Sequence, residues 1–203
     1  MTMYTEPQIP QRVLQGYLER FRAIKNGPEI AKLHTRKWGK ISRAKELIQE
    51  DALNDLTEAQ AEELYRCLPI SQRGRSVFLA NPIKEVREAL GFLLWEQLMY
   101  EMRVYEFLDQ DWLKGADVSL AAALLCVKDP DLYGIISANT EKGFKHLKMY
   151  PKFDPKESQA GRFQKLQETL FLLFRMGEFQ DLPEVDDFLE ALSKGMLAPP
   201  QAS

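Results

Sequence analysis

Between positions 20 and 45 the chain carries nine basic side chains (Arg20, Arg22, Lys25, Lys32, Arg36, Lys37, Lys40, Arg43 and Lys45) against one acid, Glu29. Lys and Arg at that density can neutralise phosphates, and Trp38, set among them with His34, offers a surface on which a base can stack. Arg36, Lys37, Trp38, Lys40 and Arg43 are therefore the candidate nucleic-acid contacts, joined by Lys114 and Lys142 further along. A competing reading is internal. Seven acids and no base follow directly (Glu46, Glu50, Asp51, Asp55, Glu58, Glu62, Glu63), and the two runs cancel if they fold together.

Other chemistries fail on counts. His34 and His146 are the only histidines, and Cys67 and Cys126 the only cysteines. No pair among them has ligand spacing, so no zinc site is expected. Neither a phosphate-binding loop nor a dinucleotide fingerprint is present. Asp109 and Asp111 flank Gln110, and next-but-one residues on a helix do not share a face. No catalytic residue, metal or cofactor is expected. Tyr133 and Asn139 are the candidates for a ligand pocket, and Met99 and Met102 beside Tyr100 and Tyr105 suit either a groove or a core.

The elements that must position these residues read as helices. Apolar residues from Val13 to Ile24 recur at helical spacing until Asn26-Gly27-Pro28. Short helices are expected from Pro28 to about 33 and from Ile41 to Ala52. Thr57 to Gln60 is a capping box for the next. Asn81-Pro82 predicts a cap and start for one long helix to about Leu108. Asp154-Pro155 predicts the same for a helix to Met176, and Asp181-Leu182-Pro183 for the last, closed by Gly195. No alternating pattern suggests strands. The expected fold is all-α, with about eight to nine helices in one domain over 11–195, between a loose arm (1–10) and a disordered tail (196–203). Within that domain, 11–80 forms the N-terminal helices and 81–195 the remainder.

The chain has 203 residues, 45% apolar and 28% charged, with a net charge of −3. That balance gives no global attraction to nucleic acid or an anionic membrane, so any such contact must be local. Two cysteines do not make a disulfide framework, which fits a reducing cytoplasm. MTMYTEPQIPQ lacks a signal peptide's regions, and no apolar run approaches the roughly 18 residues of a membrane span. A soluble, cytoplasmic protein is expected. The acidic C-terminal stretch (Glu178, Asp181, Glu184, Asp186, Asp187, Glu190) favours a protein partner.

One stretch carries a likeness. Leu113-Lys114-Gly115-Ala116-Asp117-Val118-Ser119-Leu120-Ala121-Ala122 resembles the hairpin of helix-hairpin-helix DNA-repair glycosylases. Downstream, Ile136-Ser137-Ala138-Asn139-Thr140-Glu141-Lys142 is similar to that family's V-D-T-N-V-x-R segment. The resemblance covers roughly 82–150 and implies a helix-hairpin-helix-like core whose hairpin approaches a DNA phosphate. It also implies lost catalysis: the family's catalytic aspartate falls on Ser137, its Schiff-base lysine on Leu108 or Ser119, and its second hairpin glycine on Asp117. Asp129-Pro130-Asp131-Leu132-Tyr133-Gly134 before Asn139 is similar to helical binding modules of bacterial DNA restriction and defence. The sequence thus points to a non-catalytic module for DNA or RNA, or else to a protein-interaction adaptor without nucleic acid.

Overall fold

A computed structural model describes residues 11–199, and the N-terminal arm and the last four residues lie outside it. In chain order the α-helices are α1 (Gln11–Ile24), α2 (Pro28–Trp38), α3 (Ile41–Leu47), α4 (Glu50–Asn54), α5 (Glu58–Cys67) and, after a 3-10 turn at Gln72–Gly74, α6 (Arg75–Leu79). They continue with α7 (Ile83–Trp95), α8 (Tyr100–Asp109), α9 (Val118–Lys128), α10 (Ala138–His146), α11 (Gln159–Gly177) and α12 (Leu182–Ser193). No strand occurs among the described residues, so the fold is all-α. The elements outnumber those expected because two expected helices are each broken in two and because Arg75–Leu79 forms a short helix of its own.

One break divides α7 from α8. Backbone at Glu96 and Met99 is extended, and the last carbonyls of α7 turn to distant cations instead of to the next turn. Arg103 Nη1 donates to Leu93 O at 2.8 Å, and Lys128 Nζ donates to Leu94 O. Cations at a helix C-terminus satisfy its orphan carbonyls and its dipole together. Lys128 also stands 4.0 Å from the Trp95 ring centroid. The second break, at Ile48–Gln49, separates α3 from α4. In the other direction, α2 runs five residues past the end expected for it.

Helix starts follow side-chain capping. Thr57 and Gln60 close a reciprocal box on α5, as the spacing predicts. Asp117 Oδ1 accepts from Leu120 N at 2.7 Å, and Ser137 and Thr140 form a second reciprocal box on α10. Two expected caps are absent. Asn81 does not cap α7; it is buried and holds the 113–116 turn, its Oδ1 accepting from Lys114 N and its Nδ2 donating to Lys114 O, both at 2.9 Å. Helix α11 starts at Ser158 rather than Asp154, with Asp109 accepting from Gln159 N at 2.8 Å and Ala160 N at 2.9 Å.

Two helices are covered on nearly every side. In α9 every residue from Leu120 to Val127 is buried, and α3, α7, α8 and α11 surround it. A helix apolar all round belongs in a core. In α12 the run from Val185 to Leu192 is buried as well, against α2, α10 and α11, although it contains Asp186, Asp187 and Glu190. Gly143 lets α10 lie close to α12, since a Cβ there would stand 2.7 Å from Leu189 Cδ2. Residues 196–199 are held down: Leu197 is buried, and Arg20 donates to the carbonyls of Ala198 and Pro199.

Candidate nucleic-acid interface

The basic segment folds against α12, not against the acidic run beside it in sequence. Arg22 pairs with Glu178 at 3.1 Å, Lys25 with Glu184 at 2.6 Å, and His34 Nδ1 with Asp187 at 2.7 Å. Arg36 reaches Glu190 at 2.7 Å, and Lys37 joins both Asp186 and Glu190, the latter at 2.9 Å. Asp181 caps its own helix through Glu184 N. All six acids of the C-terminal stretch thereby bond within the chain, five of them at or near α12's buried face and Glu178 at the surface, 83% exposed. The acidic run at 46–63 contributes only Glu46 and Glu63, both to Arg43.

Lys37 anchors this seam, with its side chain only 11% exposed. Burial disfavours its ammonium, but the charges and hydrogen bonds of Asp186 and Glu190 outweigh that and raise its pKa. Burial likewise pushes the Glu190 carboxyl up, and Lys37 and Lys194 overcome it and hold the group below the usual range. Burial pushes Asp187 up to about 6, with half-exposed His34 and, more weakly, Lys37 acting against it.

The candidate contacts therefore part company. Trp38 is buried, with no face for a base to stack on. Arg43 is shared between Glu46 and Glu63. Arg36, Lys37 and Lys40, however, line one cleft of about 560 Å³, into which the fold also brings Arg66 and Arg75. Its remaining wall is the start of α10, Ser137 to Asn139, and its apolar lining includes Leu68, Pro69 and Ile70. Arg66 pairs with Glu62 at 2.6 Å; Lys40 and Arg75 have no ion-pair partner among the described residues. At the start of α10, Ser137 Oγ takes the Thr140 N–H, while those of Ala138 and Asn139 have no partner within the helix.

Five cations thus face a concavity that holds one carboxylate, Glu190, itself already bound by Arg36, Lys37 and Lys194. Cys67 also lines the cleft, but burial raises its thiol pKa and leaves it a poor nucleophile. No group of three or more metal-ligating side chains gathers among the described residues. What the arrangement can do is hold an anion: guanidinium forks, an ammonium and free N–H groups all donate to phosphate oxygens.

No protein family matches the chain, and no curated protein or solved structure is significantly similar to it. The cleft must be read on its own chemistry. Arg66 and Arg75 escaped the sequence reading because each lies outside the dense basic run. The only signal for Arg75 was its polar loop, Ser71 to Arg75.

The remaining sequence candidates sit elsewhere. Lys114 is exposed in the 113–116 turn, which packs on α6 with Gly115 (φ 81°) against Val77 and Phe78, and it does not line the cleft. Lys142 is exposed on α10 outside the cleft. Asn139 lines the cleft, but Tyr133 lines a different groove with Tyr100 and α11, so they do not share a pocket. That second position is fixed by Gln167, whose amide brackets the Gly134 backbone at 2.9 and 2.8 Å. None of the described helices is long and apolar enough to cross a membrane.

Proposed function

We propose that this protein is a non-catalytic module that binds nucleic acid by its sugar-phosphate backbone, seated in the cleft between Lys40, Arg66, Arg75 and the start of α10. The observation that carries this reading is the convergence of Lys40 and Arg75, neither ion-paired among the described residues, on that helix start. The cleft has no aromatic side chain in its lining, which favours backbone contact over base stacking. The likeness of 113–142 to helix-hairpin-helix glycosylases supports it too, because Ser137, which lines the cleft, falls where those enzymes carry their catalytic aspartate. A hydroxyl committed to capping α10 cannot replace a catalytic carboxylate, so the reading is of binding alone.

The test is fluorescence anisotropy with labelled duplex and single-stranded oligonucleotides over a salt series. Each phosphate contact contributes a log–log slope of about −0.9 on duplex. Lys40→Ala and Arg75→Ala should each flatten the slope by about one contact while leaving the fold intact. No binding at low salt, or slopes indifferent to both substitutions, would sink the proposal.

A second reading, a protein-interaction module, rests on different residues. Met99 is 68% exposed and Leu132 59%, with Leu98, Met102 and Tyr105 also uncovered. Four of the five fall between positions 98 and 105, and that concentration supports contact with another protein.

A further inference from the structure

The longest helix, α11, has apolar residues on two faces. Its inner face, with Phe163, Leu166, Leu170 and Leu173, is core. Its outer stripe runs Gln164, Glu168, Phe171, Leu172 and Arg175, and the four-three-four spacing of 164, 168, 171 and 175 keeps it on one side of the helix. At 1.5 Å per residue it extends about 16 Å. The stripe floors a groove of about 570 Å³, whose other wall is Tyr100, Leu132 and Tyr133. Phe171 and Leu172 are only partly covered.

The charges on the stripe identify what covers it. Glu168 accepts a hydrogen bond from Gln164 at 3.1 Å, but neither it nor Arg175 has an ion-pair partner among the described residues. They stand equally far in sequence from the Phe171–Leu172 midpoint, on opposite sides of it. A two-fold axis through that midpoint, perpendicular to α11, lays the helix antiparallel to a second copy of itself. Each Glu168 then faces the other copy's Arg175, and the apolar pair packs across the axis. An isologous interface requires this self-complementarity; an unrelated partner would not require the acid and the base to be symmetrically placed.

We propose that the α11 groove is a homodimer interface, closed by Phe171 and Leu172 at the axis and by two reciprocal Glu168–Arg175 pairs. It shares no residue with the basic cleft, so it stands or falls independently of nucleic-acid binding.

Sedimentation equilibrium of the full chain tests it. At tens of micromolar the wild type is expected at twice the 23.5 kDa chain mass. Glu168→Arg and Arg175→Glu each place like charges together twice, and each should weaken the dimer about tenfold or more. The double variant restores both pairs with signs exchanged and should recover most of that loss. A wild type at 23.5 kDa at every concentration overturns the proposal. So does a single reversal with unchanged dimerisation, or a double variant as weak as either single one.

Discussion

Lys37 and Lys40 are three residues apart and serve opposite purposes. Lys37 is sunk between Asp186 and Glu190, where its charge is matched inside the protein. Lys40, one turn on, opens to the cleft with Arg75 and has no ion-pair partner among the described residues. The seam and the cleft are built from one run of basic residues, and in the cleft Lys40 meets a second unpaired cation, Arg75, brought from outside that run. What separates them is the reach of α12: its carboxylates meet Lys25, just past α1, and the α2 side chains His34, Arg36 and Lys37, and none pairs with a cation beyond Lys37 in that run. A basic stretch is thus a binding surface only where the fold leaves it unmatched.

The sharpest way to break this contrast is Lys37→Ala. Removing Lys37 leaves the buried Asp186 without a counter-charge, while Glu190 keeps Arg36 and Lys194, and breaking a buried pair in this way costs about 3–5 kcal/mol. Urea denaturation should show a correspondingly lower midpoint; one near the wild type's would mean that the seam is not structural. Lys40→Ala, on the other side, should leave that midpoint within about 0.5 kcal/mol of wild type, because no internal partner is lost. Its effect should appear only in the salt-dependent binding described above.

A smaller effect is expected with pH. Asp187 is nearly covered and its folded pKa, about 6, lies above its ordinary value of 3.8. The folded state therefore holds the proton more tightly, and the stability this supplies is full below pH 3.8 and lost as pH rises through 6. Between pH 5 and 7 the loss is about 1 kcal/mol. Asp187→Asn, which cannot ionise, should flatten the melting temperature by that amount across the interval; an unchanged slope would place the proton elsewhere. The smallest effect belongs to Arg43, whose pairs with Glu46 and Glu63 are exposed to solvent and screened. Arg43→Ala should leave the melting temperature where it is.

The helical class was legible because the apolar spacing of α1, α5, α11 and α12 is unambiguous, and because the Thr57 box and the Asp181 cap are local patterns. The gap between α7 and α8 was not legible. It depends on Arg103 and Lys128 arriving at the Leu93 and Leu94 carbonyls, 10 and 34 residues away. Asn81 misled for a related reason, since its amide serves a turn 33 residues distant instead of the helix beside it. At the candidate interface, adjacency in the chain suggested the wrong acids. Glu46 to Glu63 lie next to the basic run, yet α12 supplies most of its partners, about 150 residues on. Arg36, Lys37 and Lys40 could be read as members of the site; Arg66 and Arg75 could not, because only the fold brings them there.

The pairing of Lys37 with Asp186 also sets an order of events during synthesis. The two residues are separated by 149 positions. At about 5–20 residues per second, α2 leaves the ribosome roughly 7–30 s before its counter-charges exist. Throughout that interval Arg22, Lys25, Arg36 and Lys37 are as open as Lys40, and the nascent chain is a more basic object than the finished protein. Only when α12 emerges does the seam close and withdraw Lys25, Arg36 and Lys37 from that open charge.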